Sequence, residues 1–151
     1  MGYVHITTNK DKKLKSIAII TLTLLATATV HAGALAEMSG RLAEQQKSKL
    51  ANQLVEIVSR NGGEVSFEEA YKRAEMALSQ LDPIASQKGK SCLFIATEWK
   101  EGQEKKFKEE LKTIVDTEKK KVFEEFATVT TPTAVDYIKY KCLENSEFLN
   151  K

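Results

Sequence analysis

Apolar side chains recur at three- and four-residue steps over most of this chain, and only two prolines, Pro83 and Pro132, interrupt it. That spacing gives each helix one buried stripe. Alternating apolar–polar runs, which half-buried strands require, are scarce, while Lys, Glu, Ala and Leu are abundant. The chain reads as all-α, a small bundle of about four to five helices.

The N-terminal segment has a different character. Lys10, Lys12, Lys13 and Lys15 face a single acid, Asp11, and Ile17 to Val30 then run without a charge. Small residues follow at Ala32, Gly33, Ala34 and Ala36. A basic start, a short apolar run and small-x-small sites describe a secretory signal peptide over residues 1–32, cut after Ala32. The apolar run is short of the roughly 20 residues that span a bilayer, and Thr21, Thr23, Thr27 and Thr29 weaken it. An uncleaved anchor is the alternative. No cysteine sits among the small residues to take a lipid. The expected mature chain, residues 33–151, is a single soluble domain in the periplasm or outside the cell, without stable membrane insertion.

The leader holds four of the 23 basic residues and one of the 21 acidic ones, which leaves 19 against 20. The mature domain therefore lacks the positive excess that phosphate neutralisation needs, and no nucleic-acid partner is expected. Cys92 and Cys142 are the two cysteines. In an exported chain an even pair reads as a disulfide. Two unrelated buried thiols are the alternative. A bridge over a loop of this size is worth about 4 kcal/mol in the chain-entropy picture.

Helices are expected at 34–60, 66–81, 91–126 and 132–144. Leu35, Met38, Leu42, Leu50, Leu54, Ile57 and Val58 form the first stripe, which Asn61-Gly62-Gly63 ends. "SFEE" opens the second as a capping box, with Ser66 accepting and Glu69 reaching back. Phe67, Ala70, Tyr71, Ala74, Leu78 and Leu81 face inward, and Asp82-Pro83 stops the helix before a linker at 83–90. Cys92, Ile95, Ala96 and Trp99 line the third, which Gly102 either breaks or merely occupies. Its apolar set continues through Phe107, Leu111, Ile114, Val115, Val122 and Phe126. "TVTTPT" then interrupts, with Thr131 as N-cap and Pro132 at the first helical position. Val135, Ile138 and Cys142 share a face of the last helix, so the two cysteines lie on inward stripes.

The two histidines, His5 and His31, precede the expected cut. A mature domain without histidine has no Ser-His or Cys-His pair and no His-ligated metal. Neighbouring carboxylates such as Glu109-Glu110 and Glu124-Glu125 point about 100° apart on a helix and do not converge. "NGGEVS" lacks the glycine spacing and the lysine of a phosphate loop. No enzyme, cofactor or metal is expected. "EWKEGQEKKFKEELK" and "DTEKKK" mix both signs and read as solvated helix faces. Trp99, Tyr137 and Tyr140 are the candidate aromatic anchors for a partner. The tyrosines lie off the Val135–Ile138–Cys142 stripe, so at least one of them should be exposed.

At "SCLFIATEWKEG" and "YIKYKCLENSEFL", over about residues 90–150, the chain resembles two families of small exported helical proteins. Cys92, Leu93-Phe94-Ile95, "ATVTTP", Cys142 and Asn145 are similar to the Hde family of acid-activated periplasmic chaperones, which carry one disulfide at this spacing. Cys92, Phe94-Ile95 and Gly102 are similar to the opening of the Rap/Tai group, immunity proteins against cell-wall amidases, although the central Cys-Pro of that group is missing. Either resemblance implies protein binding rather than turnover. The first expectation is thus an exported inhibitor, immunity or exclusion factor that binds another protein stoichiometrically. An acid-stress chaperone and a membrane-anchored structural protein are the alternatives, and a homodimer is a further possibility for the partner. Intact-mass analysis of exported material should find Gly33 as the first residue and both sulfurs inert to alkylation. A retained Met1 with two reactive thiols would overturn this scheme.

Overall fold

The computed structural model describes residues 10–146, with side chains from residue 32 onward. Of the expected leader, residues 1–9 lie outside the described part, and so do the side chains of 10–31, His31 included. The described residues form five helices and no strand: α1 (Lys10–Arg60), α2 (Phe67–Ser79), α3 (Asp82–Ala85), α4 (Cys92–Thr113) and α5 (Thr117–Glu144). The all-α expectation holds, and Cys92 and Cys142 are bonded, with Cα atoms 5.5 Å apart.

Two of the expected helix ends are made by the residues that sequence singled out. α1 stops where Gly62 takes φ +76°, a left-handed turn that glycine adopts without penalty. The Gly63 amide donates to Val58 O at 2.9 Å and the Gly62 amide to Ser59 O at 3.1 Å, which satisfies carbonyls the helix end would leave bare. Asn61 Nδ2 adds a bond to Ile57 O at 2.7 Å. α2 opens on Ser66, whose hydroxyl accepts from the Glu69 amide at 3.2 Å. The other half of the expected capping box is redirected, because Glu69 pairs with Arg73 one turn on.

Three expectations need correction, and the alternative left open at Gly102 is decided. The first helix does not begin at 34. It is continuous from Lys10, since nothing between there and Gly33 removes an amide or favours a turn. Pro83 does not simply end a helix: it sits in the first turn of α3, where its missing amide costs nothing. Gly102 lies inside α4 without breaking it. The third break falls at Ile114–Asp116 and not at "TVTTPT". Asp116 Oδ1 accepts from the amides of Glu118 and Lys119 at 2.9 and 3.1 Å, a stronger start signal than Thr131. Val115, expected inside, stands in this turn 96% exposed.

α5 runs straight through Pro132, and the reason is on α1. Proline inside a helix removes one amide and pushes the preceding turn away, so nearby carbonyls lose their donors. Gln53 Nε2 donates to Val129 O at 3.1 Å, and the fully buried Thr133 hydroxyl donates to Gln53 Oε1 at 2.9 Å. One side chain thus serves both sides of the proline turn.

The layer order is α2–α1–α5–α4, built from two antiparallel hairpins. α1 and α5 run antiparallel at the centre. Gly40 lies against Glu144, Gln53 against Val129 and Thr133, and Arg60 against Glu125. Of the expected α1 stripe, Leu50 and Ile57 are buried, whereas its first two members, Leu35 and Met38, are exposed. Ala36, Ser39, Ala43 and Ala51 are buried as well, and their small side chains allow close helix approach. Ala43, Leu50 and Ala51 pack with Ala70, Ala74 and Leu78 of α2 and Tyr137 of α5 in one cluster. A second cluster joins Ala85, Ile95, Ala96, Ile138 and Cys142, across α3, α4 and α5. Lys47 is buried between Glu44 (2.9 Å) and Glu75 of α2 (3.3 Å). Burial alone would lower its pKa, and the two carboxylates more than reverse this and raise it. Exposed faces carry turn-spaced ion pairs such as Glu68–Lys72 and Glu37–Arg41, and Lys100–Glu104 lies within the first mixed charge run.

Gln53→Ala would leave the Thr133 hydroxyl and Val129 carbonyl without this partner. We expect a loss of about 1–3 kcal/mol in urea unfolding. A loss of only a few tenths would show that Pro132 is accommodated without α1.

Candidate functional site

The three aromatic candidates do not assemble into one surface. Trp99 is half-buried against the α3–α4–α5 cluster, and Tyr140 is half-buried against the α1–α2–α5 cluster. Tyr137 is only 2% exposed, inside the latter. The expectation that at least one tyrosine lies exposed is corrected. Off-stripe positions on α5 are covered because α5 is flanked by α1 on one side and α4 on the other, so most of its circumference is buried. Tyr137 Oη donates to Asp82 Oδ1 at 2.8 Å and so ties α5 to the start of α3. Its pKa is raised, first by burial and then by the Asp82 carboxylate.

The disulfide is placed by caps at both ends. Ser91 accepts from the Phe94 amide at 3.2 Å and makes Cys92 the first residue of α4, while Cys142 lies in the last turn of α5. The bond therefore clamps the open end of the α4–α5 hairpin. A cleft of 480 Å³ opens beside it, lined by Ser86–Lys90 and Asn145 among others. Lys90 there is already engaged, paired with Glu98 at 2.6 Å and 5.1 Å from the Phe94 ring centroid.

A larger cleft lies at the opposite end of the bundle. α1 stops at Arg60 beside Glu125, but α5 extends past that point to Thr117. The first two turns of α5 are therefore uncovered on the side that α1 occupies elsewhere. The resulting cleft measures 1210 Å³ and is lined by Arg60, Asn61, Val122, Phe123 and Phe126, with Lys119, Lys121, Glu118 and Glu125 around them. Phe123 is held from behind by Phe107 of α4, ring centroids 5.3 Å apart and edge-on at 71°. Phe126 remains 37% exposed. Arg60 is neutralised by Glu125 at 2.7 Å. Lys119 and Lys121 form no ion pair among the described residues, so that lip carries unpaired positive charge.

Sequence reasoning placed Val122 and Phe126 on an inward stripe and overlooked Phe123. The signal was Phe107 and Phe123 on two helices that a hairpin brings antiparallel. Seeing it required the turn at 114–116, which was not anticipated. Among the described residues no three His, Cys, Asp or Glu side chains are grouped as a metal site would need. No described helix is long and apolar enough to cross a membrane. That and the disulfide are compatible with an extracellular or periplasmic location.

The raised Tyr137 pKa has a definite sign. The folded protein holds the phenolic proton above about pH 10, where the unfolded chain releases it. The stabilisation is complete below that pH and fades as pH rises. Between about pH 9 and about pH 11, stability of the wild type should fall more steeply than that of Tyr137→Phe. Parallel slopes in urea unfolding would show that Tyr137 ionises freely in the fold.

Compared with protein-family models, with curated proteins and with solved structures, the chain finds no match.

Proposed function

We propose that this chain is an exported, disulfide-stapled helical domain that binds another protein stoichiometrically, as an inhibitor, immunity or exclusion factor. One observation carries the reading. α1 stops beside Glu125, two turns short of the α5 N-terminus, and this leaves a cleft with Val122, Phe123 and Phe126 in its lining and Lys119 and Lys121, without ion pairs among the described residues, on its lip. A concave apolar patch with a charged rim is the usual anatomy of an interface. The chemistry around it fits binding better than turnover. No histidine follows His31, both cysteines are consumed in the bridge, and the carboxylates at the cleft are either paired with Arg60 or on the rim. A general base positioned against a nucleophile is what an enzyme of this size would need. The export reading rests on the basic and apolar N-terminal segment together with the disulfide.

The test is purification of the chain from native periplasm, expressed with its own leader and tagged at the C-terminus. Native mass spectrometry should find a discrete one-to-one complex with another protein. Recovery of the chain alone across several growth conditions would overturn the reading.

A further inference from the structure

The cleft at the end of α1 has the shape of a missing helix. From Gly40 to Arg60, α1 covers α5 from Glu144 down to Glu125. Beyond Arg60 the same side of α5 continues from Phe126 to Glu118, about 12 Å at 1.5 Å per residue. The opposite side of this stretch is already taken by α4 through Phe107 and Phe123. Val122 and Phe126, one turn apart, form a ridge that accepts apolar side chains at helical spacing. An extended peptide has nothing to pair with, because the last carbonyls of α1 are bonded to Asn61, Gly62 and Gly63. What fills this space most naturally is what fills the rest of the α5 groove: an α-helix with one apolar face.

The charges select among helices. Arg60 and Glu125 cancel, and Glu118 is outnumbered by Lys119 and Lys121, neither of which has an ion pair among the described residues. An acidic flank on the incoming helix meets that lip favourably and a basic one is repelled. We propose that this cleft receives a two- to three-turn amphipathic α-helix of a partner protein, apolar towards Val122, Phe123 and Phe126 and acidic towards Lys119 and Lys121. The proposal rests on the protein-binding reading and names its surface and the chemistry of its partner.

The probe is a three-turn synthetic helical peptide with leucines on one face and glutamates flanking them, titrated into the isotopically labelled full chain. Its control carries lysines in place of the glutamates. The acidic peptide should shift the amides of Val122, Phe123 and Phe126, and its affinity should drop at least about tenfold for Phe126→Glu. Lys119→Glu combined with Lys121→Glu, on the solvated lip where folding is not at risk, should weaken it by a similar factor and raise affinity for the basic peptide. Equal binding of both peptides would overturn the proposal, as would shifts confined to Leu93 and Phe94. So would engagement of these residues by phosphatidylglycerol vesicles in preference to the peptide, or their burial in a homodimer. Purification of the Phe126→Glu chain from periplasm separates the two levels. If the wild-type partner still accompanies it, this cleft is not the site, and the protein-binding reading stands.

Discussion

The antiparallel seam between α1 and α5 is the contact on which the other elements depend. α2 is held by α1, α4 by α5, and the short α3 only bridges the α4–α5 half. Alanines and a serine lie buried on α1 beside Leu50 and Ile57, and such small residues permit close helix approach. Close approach also lets one side chain, Gln53, cross to α5 and serve the backbone around Pro132. Gln53 is half-buried, and Val129 and Thr133 supply partners for both ends of its amide.

Around that seam the two hairpins are secured by different means. The α1–α2 pair relies on alanine contacts and on the ammonium of Lys47 set between two carboxylates. The α4–α5 pair packs Ile95 and Ala96 against Ile138 at one end and Phe107 against Phe123 towards the other. Its open end is held covalently by Cys92–Cys142, and its far end by the Asp116 cap. Tyr137 joins the halves from within, buried in the first cluster and bonded to the aspartate that starts α3. A bridge worth about 4 kcal/mol is a large share of the stability of a domain this size.

The candidate site arises from unequal helix lengths. α1 is stopped by a glycine turn, α5 begins earlier on the strength of an aspartate cap, and the overhang leaves phenylalanines without a neighbour on one side. In sequence, those residues were indistinguishable from core. The apolar stripe of α5 continues through Val122 and Phe126 whether or not another helix covers it, and periodicity is silent about where a neighbour ends. The aromatic residues chosen from sequence failed for the converse reason: Tyr137 lies off its helix's main stripe, yet a second neighbour covers it.

Sequence by itself determined the helical class, the glycine stop of α1 and the Ser66 cap, because each depends on residues within a turn or two of one another, and it pointed to the cysteine pair, 50 residues apart, because the chain has two cysteines and no others. It left the break between α4 and α5, the passage of α5 through Pro132 and the true buried face of α1 undecided. The last two were settled in the tertiary structure, where Gln53 meets Pro132's turn and alanines meet a second helix, while the α4–α5 break follows a local signal, the Asp116 cap. The physical reason in the tertiary cases is shared: a local preference of about 1 kcal/mol is overridden when a partner distant in sequence supplies the missing hydrogen bond or covers the apolar face.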